Sequence, residues 1–161
     1  MHFRLYDPRD FSQLYAIEEA CFQPPLRFSR AYMRQLVNSS DAVTWVAEDA
    51  GQLAGFAIIE WSGEPDEIIG YIQTLEVSPE QRRHGLGREI LRCLELSARK
   101  AKAGQIWLHV DAANHAAIRL YRAEGFRLKG TQANYYGRAH DADVYCKQLA
   151  GAPGDPDSKQ A

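Results

Sequence analysis

A basic turn spaced by glycines has the clearest chemical meaning in this sequence. It follows the apolar segment 71–77 and reads Arg-x-x-Gly-x-Gly from Arg82 to Gly87, directly before a predicted helix. Glycine lets the backbone approach a ligand closely because no Cβ intervenes. The first N–H groups of a helix have no intrahelical partner and therefore bind anions. The spacing predicts a pyrophosphate cradle, which we assign to Arg82, Arg83, His84, Gly85, Leu86, Gly87 and Arg88.

Two common nucleotide-binding patterns fit this turn poorly. A Walker loop requires Gly-Lys-Ser/Thr, and no lysine follows Gly87. A dinucleotide-binding fingerprint needs an acidic residue about 20 positions further on, and this chain has Lys100 and Lys102 in that region. On this segment alone, an ordinary basic surface turn before a helix remains an alternative.

A second segment places titratable side chains on and after an alternating strand. Residues 106–110 alternate aliphatic with polar or aromatic side chains, which puts His109 on the face opposite the aliphatic ones. Asn114 then opens a predicted helix that contains Tyr121 and ends at Gly125-Phe126. An imidazole with a pKa near 6.5 suits a general base, and a phenol with a pKa near 10 suits a general acid. Equally, His109 could be a hydrogen-bonded strand residue, and Tyr71 and Tyr121 core aromatics.

Together these segments resemble the GNAT acetyltransferases, whose acetyl-CoA loop has the pattern Gln/Arg-x-x-Gly-x-Gly/Ala. The resemblance covers residues 44–149, with a looser match before them. Within the superfamily, the NatE-like and RimI-like N-terminal α-amine acetyltransferases are similar at Tyr71-Ile72-x-Thr74-Leu75, Leu108-His109-Val110 and Asn134-Tyr135-Tyr136. The resemblance implies an α/β (α+β) fold with a mixed, mostly antiparallel central sheet and about four flanking helices. The strands that end near Val77 and Asp111 are expected to splay apart.

The same resemblance implies acetyl-CoA as cosubstrate and the N-terminus of a protein or peptide as acceptor. Besides the turn, the implied cofactor contacts are Leu75, Glu76, Val77, Asn114 and Tyr121. Leu75 and Glu76 would line the pantetheine path, and the main-chain amide of Val77 would stabilise the oxyanion. The implied acceptor contacts are Phe22 and Pro24, in the loop 22–28, and Tyr135 and Tyr136. Asn114 could also serve only as a helix cap, and the two tyrosines only as hairpin residues.

The catalytic roles are likewise implied by resemblance. In the NatE-like pattern, Tyr71 and His109 hold a water that relays the proton of the amine, while Tyr121 protonates the departing CoA sulfur. The RimI-like group has a glutamate where this chain has His109, so the chain departs from that group here. No cysteine falls beside the turn or on the strand 106–110 in the sequence, which predicts direct transfer without an acetyl-cysteine intermediate.

Two other functions remain open. A lysine side chain or a small-molecule amine could replace the α-amine, although the acids near the expected mouth, Glu64, Asp66 and Glu67, are scattered. A non-catalytic acetyl-CoA-binding module is the second, and the retention of Tyr71, His109 and Tyr121 counts against it. The first residue that an acceptor peptide should carry is not defined, because the loop 22–28 differs from both reference patterns.

Composition limits the class of protein. A chain of 161 residues that is 45% hydrophobic and 25% charged predicts one soluble domain, at residues 1–149, and a disordered tail at 150–161. A net charge of −2 gives no general attraction to nucleic acid. No apolar run approaches the roughly 20 residues of a membrane span, and no signal peptide is recognisable, which predicts a cytoplasmic protein without a membrane partner. The histidines and three cysteines lack ligand spacing, so no metal is predicted, and the oligomeric state stays open.

Hydrophobic periodicity and turn residues outline the elements around these sites. Strands are predicted at 3–5, 43–47, 53–61, 68–77, 106–110, 127–131 and 143–149, with a polar loop at 62–67. Helices are predicted from Asp7 to Cys21, from Ser29 to Asn38, after the glycine turn to Gly104, and from Asn114.

Overall fold

The computed structural model describes residues 1–149, and the predicted disordered tail at 150–161 lies outside the described residues. The strands are β1 His2–Leu5, β2 Ala42–Asp49, β3 Gln52–Glu64, β4 Glu67–Val77, β5 Gln105–Asp111, β6 Arg127–Gln132 and β7 Ala142–Gln148. The α-helices are α1 Phe11–Cys21, α2 Arg30–Asn38, α3 Leu86–Lys100 and α4 His115–Ala123, with 3-10 turns at Pro8–Asp10 and Pro79–Gln81.

One mixed sheet contains all seven strands, in the order β1-β2-β3-β4-β5-β7-β6. β4 and β5 run parallel, whereas β1 with β2, β2 with β3, β5 with β7 and β6 with β7 run antiparallel. The parallel pairing extends from Ile69↔Gln105 to Ile72↔Leu108, although β4 continues to Val77 and β5 to Asp111. The predicted fold class, a mixed and mostly antiparallel sheet with four α-helices, is confirmed.

The described chain divides into two compact units, which we treat separately. The first comprises residues 1–60 and 73–96. Its core is formed by one face of α1 and α2 with the inward side chains of β2 and β3, including Leu14, Met33, Val46 and Phe56, each with 0% exposure. The second unit comprises residues 61–72 and the described residues from 97 onward. Its buried side chains include Ile106, Leu108 and Tyr145, which are 0%, 1% and 2% exposed.

The helices α2 and α4 each begin directly after a residue whose side chain caps the helix. Ser29 Oγ accepts a hydrogen bond from Tyr32 N at 3.1 Å, and Asn114 Oδ1 accepts one from Ala117 N at 3.2 Å, so both predicted caps are confirmed. Asp7 caps a 3-10 turn at Pro8–Asp10 rather than the α-helix itself, which begins only at Phe11. Among the described residues no helix is long and apolar enough to cross a membrane.

The polar loop expected at 62–67 is shorter than predicted. β3 continues to Glu64 and β4 starts at Glu67, so only Pro65 and Asp66 remain between the two strands. Proline and aspartate are common turn residues, and the polar side chains before them stay exposed while the backbone continues as a strand. Polarity was therefore a poor guide to the end of the strand.

At Gly55, β3 lies very close to Glu76 and Ile90 within the first unit. A Cβ at this position would lie 2.7 Å from Glu76 O and 2.8 Å from Ile90 Cδ1. Because a main-chain carbonyl cannot move aside easily, we expect Gly55→Ala to lower the free energy of unfolding by about 1–3 kcal/mol in urea denaturation. Gly130→Ala is the matched control, since a Cβ there meets nothing within 4 Å. Equal losses for both variants would contradict close packing at Gly55.

Candidate functional site

The glycine turn is open in the structure and leads into a helix. Gly85 has a φ of +75°, and a Cβ at this position would meet no atom within 4 Å. Leu86 is the first residue of α3 and is 6% exposed, so it anchors the turn to the core. Arg83 has a φ of +68°, which adds a second left-handed residue to the turn. An exposed turn of this shape at the start of a helix fits a phosphate group approaching the backbone.

Arg82 has a different position from the other basic side chains of the turn. Its Nε donates to Val77 O at 3.2 Å, and its Nη2 lies 3.3 Å from Cys21 Sγ. It therefore ties the start of the turn to the end of β4. Arg83, His84 and Arg88 are exposed, and the two arginines can bring positive charge to a bound anion at the surface.

Cys21 lies beside the turn, and the sequence-based expectation that no cysteine does so is wrong. Its thiol donates to Val77 O at 3.4 Å, although 56 residues separate the two. The sequence could not show this contact because it depends on how α1 packs on β4. Burial, with the nearby Glu76 carboxyl as a second cause, raises the pKa of the Cys21 thiol to about 11. Since the thiolate is the nucleophilic form, the raised pKa disfavours an acetyl-cysteine intermediate.

Two buried carboxyl groups lie in the same unit, and sequence reasoning missed them as a pair. Glu18 on α1 is 1% exposed, and Glu76 on β4 is 3% exposed. Thr74 Oγ1 donates to Glu76 Oε2 at 2.6 Å. Within residues 1–149, Glu76 Oε1 and both carboxylate oxygens of Glu18 have no hydrogen-bond partner. Burial raises the pKa of each carboxyl, and for Glu76 the neighbouring Glu18 adds to the increase.

This pair also restricts how Glu76 could contact a cofactor. Because its side chain is buried, the predicted contact with the pantetheine path can come only from its main chain. The sequence did contain a signal for Glu18, which follows Leu14 by four residues and so falls on the buried face of α1.

In the second unit, Tyr71 and His109 form a direct hydrogen bond. The Tyr71 phenolic oxygen lies 2.7 Å from His109 Nδ1. Their neighbours Ile72 and Leu108 pair across β4 and β5 and are 2% and 1% exposed. Since side chains alternate along a strand, Tyr71 and His109 both lie on the opposite face of this pair of strands. The structure therefore brings these two predicted catalytic residues together.

His109 has two more partners from the β6–β7 hairpin. Its Nε2 lies 3.2 Å from Gln132 Oε1, and its ring stacks on Tyr135 with centroids 4.3 Å apart and an interplanar angle of 6°. Burial lowers the pKa of His109, with the Gln132 hydrogen bond acting in the opposite direction. Sequence reasoning missed Gln132, a polar residue at the end of a predicted strand that gave no sign of its partner.

Tyr136 extends this aromatic group, whereas the ring of Tyr121 contacts Phe126. The Tyr135 and Tyr136 rings lie edge to face, with centroids 4.9 Å apart. Burial raises the pKa of Tyr136, with smaller contributions from Tyr135, Asp111 and Tyr121, so its phenol remains a hydrogen-bond donor at neutral pH. Tyr121 is 5% exposed and lies edge to face with Phe126 at 5.5 Å.

The predicted acceptor loop belongs to the first unit and is held from both ends. Arg27 Nε donates to Phe22 O at 2.9 Å, and Tyr15 Oη donates to Phe28 O at 3.0 Å. Pro24 is exposed and Phe22 is half-buried. The loop conformation is thus fixed by side chains bonded to main-chain carbonyls.

Two of the three acids expected near an acceptor mouth, Asp66 and Glu67, lie at a cavity near the start of β5. Asp66 and Glu67 line a polar cavity of about 250 Å³ together with Lys102 and Gln105. Gln105 is the first residue of β5, and His109 follows four residues later, which corresponds to about 13 Å along a strand. Asp66 and Glu67 are therefore at the other end of the parallel pair from His109. Among residues 1–149 the structure contains no group of three or more potential metal ligands.

Comparisons with known proteins add a family assignment. Residues 11–126 match the acetyltransferase (GNAT) family. A streptothricin acetyltransferase of Streptomyces lavendulae is 38% identical over 106 residues, covering 65% of this chain and 55% of the relative. The N-alpha-acetyltransferase RimI of Mycobacterium tuberculosis is 36% identical over 99 residues, covering 62% and 60%. The chain thus spans little more than half the length of these two curated relatives.

A solved structure agrees with the fold over nearly the whole chain. The ribosomal-protein-S18-alanine N-acetyltransferase of Escherichia coli superimposes with a TM-score of 0.81 and 25% sequence identity. The match covers 96% of this chain and 97% of that one. The chain therefore shares the fold of a solved acetyltransferase.

The buried carboxyl pair predicts an unusual dependence of stability on pH. A carboxyl whose pKa is raised on folding contributes full stability below its unfolded pKa and loses it as the pH rises through the folded pKa, at 1.4 kcal/mol per pKa unit. We expect the free energy of unfolding of Glu76→Gln to fall less with rising pH than that of the wild type. The substitution removes the carboxyl whose pKa is raised more strongly. Urea unfolding at pH 5, 7 and 9 measures the difference, with the exposed Glu19→Gln as control. If the free energy of unfolding depended on pH equally in wild type and Glu76→Gln, the raised pKa of Glu76 would be refuted.

Proposed function

Because the chain belongs to the acetyltransferase (GNAT) family, we propose that it is an acetyl-CoA-dependent N-acetyltransferase acting on the N-terminal α-amine of a protein or peptide. The observation that carries the choice of acceptor is the Tyr71–His109 hydrogen bond of 2.7 Å. It supplies a weak base suited to an amine that is already partly neutral. Relatives named for N-terminal or ribosomal-protein-alanine acetylation support the same choice.

The protonation state of the acceptor decides which base is needed. An α-amine has a pKa of about 7.7–8.0, so roughly a third is neutral near pH 7.5, whereas neutralising a lysine costs about 4 kcal/mol. Burial lowers the pKa of His109, so its neutral, proton-accepting form predominates at neutral pH. A weak base of this kind can remove the proton of an α-amine with little energetic cost, and a lysine would demand a stronger one.

We assign cofactor binding, oxyanion stabilisation and general-acid catalysis to the following residues. Acetyl-CoA would supply a thioester as acetyl donor, with its pyrophosphate at the glycine turn around Gly85 and Gly87. The main-chain amide of Val77 would donate to the oxyanion. Tyr121 would protonate the leaving sulfur, because a buried phenol stays protonated at neutral pH. Asn114, which caps α4, would also contact the cofactor.

Tyr135 and Tyr136 are the acceptor contacts that the structure supports best. Their rings form one edge-to-face group next to His109, and a phenol can hydrogen-bond a peptide backbone while its ring forms a wall. Phe22 and Pro24 would contact the first residues of the peptide from the loop 22–28. We propose that residues 1–149 form one catalytic domain and that it works in the cytoplasm, where new protein N-termini are available.

A small-molecule amine is the second candidate acceptor. The observation that favours it is the 38% identity over 106 residues to a streptothricin acetyltransferase. An acidic pocket would be expected for a polycationic acceptor, and Asp66 and Glu67 line a cavity at the start of β5, away from His109. A binding module without turnover is a third possibility, which a single activity measurement separates from both.

Acetyl-CoA turnover against a defined set of acceptors tests the proposal. The set contains peptides that vary in their first two residues, N-terminally blocked peptides with internal lysines, and streptothricin. We expect activity on free N-termini, with kcat reduced about 100-fold or more in His109→Ala. Activity only on blocked lysine peptides or on streptothricin would assign the other acceptors. Binding of acetyl-CoA without turnover of any amine would assign the binding module.

Substitution of two glycines with similar positive φ can distinguish an effect on cofactor binding from an effect of backbone strain. Gly85 and Gly51 have φ of +75° and +82°, and neither has an atom within 4 Å of the Cβ position. We expect Gly85→Ala and Gly51→Ala each to lower the free energy of unfolding by about 1–2 kcal/mol, because alanine is strained at positive φ. Only Gly85→Ala should raise the KM for acetyl-CoA, since only there would the Cβ meet a bound phosphate. Equal KM values for the two variants would place the cofactor elsewhere.

A further inference from the structure

We propose that Gln132 is a positioning residue that fixes which nitrogen of His109 carries the hydrogen, so that the proton of the amine reaches His109 Nδ1 through the phenolic oxygen of Tyr71. The inference rests on the proposed function and deepens it. It replaces a water held between Tyr71 and His109 with a direct relay between the two side chains.

The hydrogen bonds of His109 determine its tautomer. A carboxamide oxygen can only accept, so Gln132 Oε1, at 3.2 Å, requires a hydrogen on His109 Nε2. A neutral imidazole carries one hydrogen, which leaves the lone pair on Nδ1. The Tyr71 hydroxyl, 2.7 Å from Nδ1, must then donate. Gln132 and Tyr71 therefore hold the ring in one protonation pattern from its two sides.

The same contacts determine how an amine could reach the base. Both ring nitrogens have partners, and the Tyr135 ring covers one face of the imidazole at 4.3 Å. A substrate amine would therefore meet the oxygen of Tyr71 rather than a ring nitrogen. That oxygen can accept a proton as it gives its own to Nδ1.

The proton transfer balances within this group. The ammonium gives one proton to the Tyr71 oxygen while the phenolic proton moves to His109 Nδ1. His109 becomes an imidazolium with hydrogens on both nitrogens, one directed at Tyr71 and one at Gln132. Tyr71 ends as a neutral phenol, and the amine nitrogen keeps the electron pair that forms the new bond to carbon.

The fold explains why Gln132 can fill this role. Gln132 ends β6, β7 lies between β6 and β5, and adjacent strands are about 4.8 Å apart. His109 pairs with Val144, and Gln132 pairs with Ala142, two residues earlier on β7. A glutamine side chain is long enough to cross one strand, and shorter polar residues are not. The titratable side chains that contact the imidazole are Tyr71 from β4 and Tyr135 from the β6–β7 turn.

Nitrogen NMR of histidine-labelled protein without substrate is the direct test. A His109→Gln variant identifies the His109 signals. At a pH where the ring is neutral, we expect the wild type to carry its hydrogen on Nε2. In Gln132→Leu the hydrogen should spread over both nitrogens, and kcat should fall about tenfold. A wild-type ring protonated on Nδ1, or a Gln132→Leu variant with the wild-type tautomer, would overturn the inference.

Gln132→Glu is expected to change the pH dependence of kcat/KM in a way that a loss of structure would not produce. A carboxylate still accepts from Nε2–H, so the tautomer and the activity at high pH should be kept. Its charge should raise the pKa of His109 by about one unit and move the acid limb of kcat/KM to higher pH by the same amount. The exposed Gln52, substituted by Leu and by Glu, is the matched control and should change neither property. An unmoved acid limb would contradict the role of Gln132.

The two measurements separate this inference from the proposed function. Free α-amine acetylation combined with an Nδ1–H imidazole would leave the function standing and reject the role of Gln132. The Nε2–H tautomer in a protein that acetylates no amine would reject the function, and with it the relay.

Discussion

The register of the parallel pair β4 and β5 is the constraint on which the second unit depends. Ile72 opposite Leu108 places two apolar side chains in the core at 2% and 1% exposure. Tyr71 and His109 stand next to them on the other face, close enough for a hydrogen bond of 2.7 Å. A shift of one residue would turn each side chain to the opposite face and bury the imidazole. The packing of the core thus determines the geometry of the Tyr71–His109 pair through the alternation of side chains.

Backbone hydrogen bonds at the start of the pair hold this register. Gly104 N donates to Ile68 O at 2.9 Å, and Leu149 N donates to Gly104 O at 3.1 Å. The segment before β5 is therefore tied both to β4 and to the end of β7. β7 in turn carries the hairpin that brings Gln132 and Tyr135 to His109. The pairings of β4, β5, β6 and β7 thus bring Tyr71, Gln132 and Tyr135 to the imidazole.

Burial favours the uncharged form of the groups around both sites. It lowers the pKa of His109 and raises the pKa of Glu18, Glu76 and Cys21. Positive charge is kept at the surface of the glycine turn, where Arg83 and Arg88 are exposed. Under the proposed function this division would suit an anionic cofactor and a neutral base, because solvent-exposed cations attract phosphate and partial burial keeps the imidazole uncharged.

The sequence predicted the elements better than the contacts between them. Caps such as Ser29 and Asn114, and the alternation of β5, are local properties that a chain reveals through spacing alone. The contact of Cys21 with Val77, the pairing of Glu18 with Glu76 and the bond from Gln132 to His109 join segments far apart in the chain. No local pattern contains them, since each depends on strand register or helix packing. Resemblance selected Tyr71 and His109, but their direct hydrogen bond needed coordinates.

The direct bond matters because it changes what the acceptor meets. A histidine whose ring nitrogens are both engaged presents no lone pair to an incoming amine, so its basicity must act through the phenol of Tyr71. A neutral phenol is too weak a base by itself, and the adjacent Nδ1 makes proton transfer through it possible. Such a relay removes a proton readily from an α-amine, whose pKa lies about one to two units above that of imidazole, and less readily from a lysine. In the proposed reaction, the two hydrogen bonds on this ring would favour an α-amine over a lysine as acceptor.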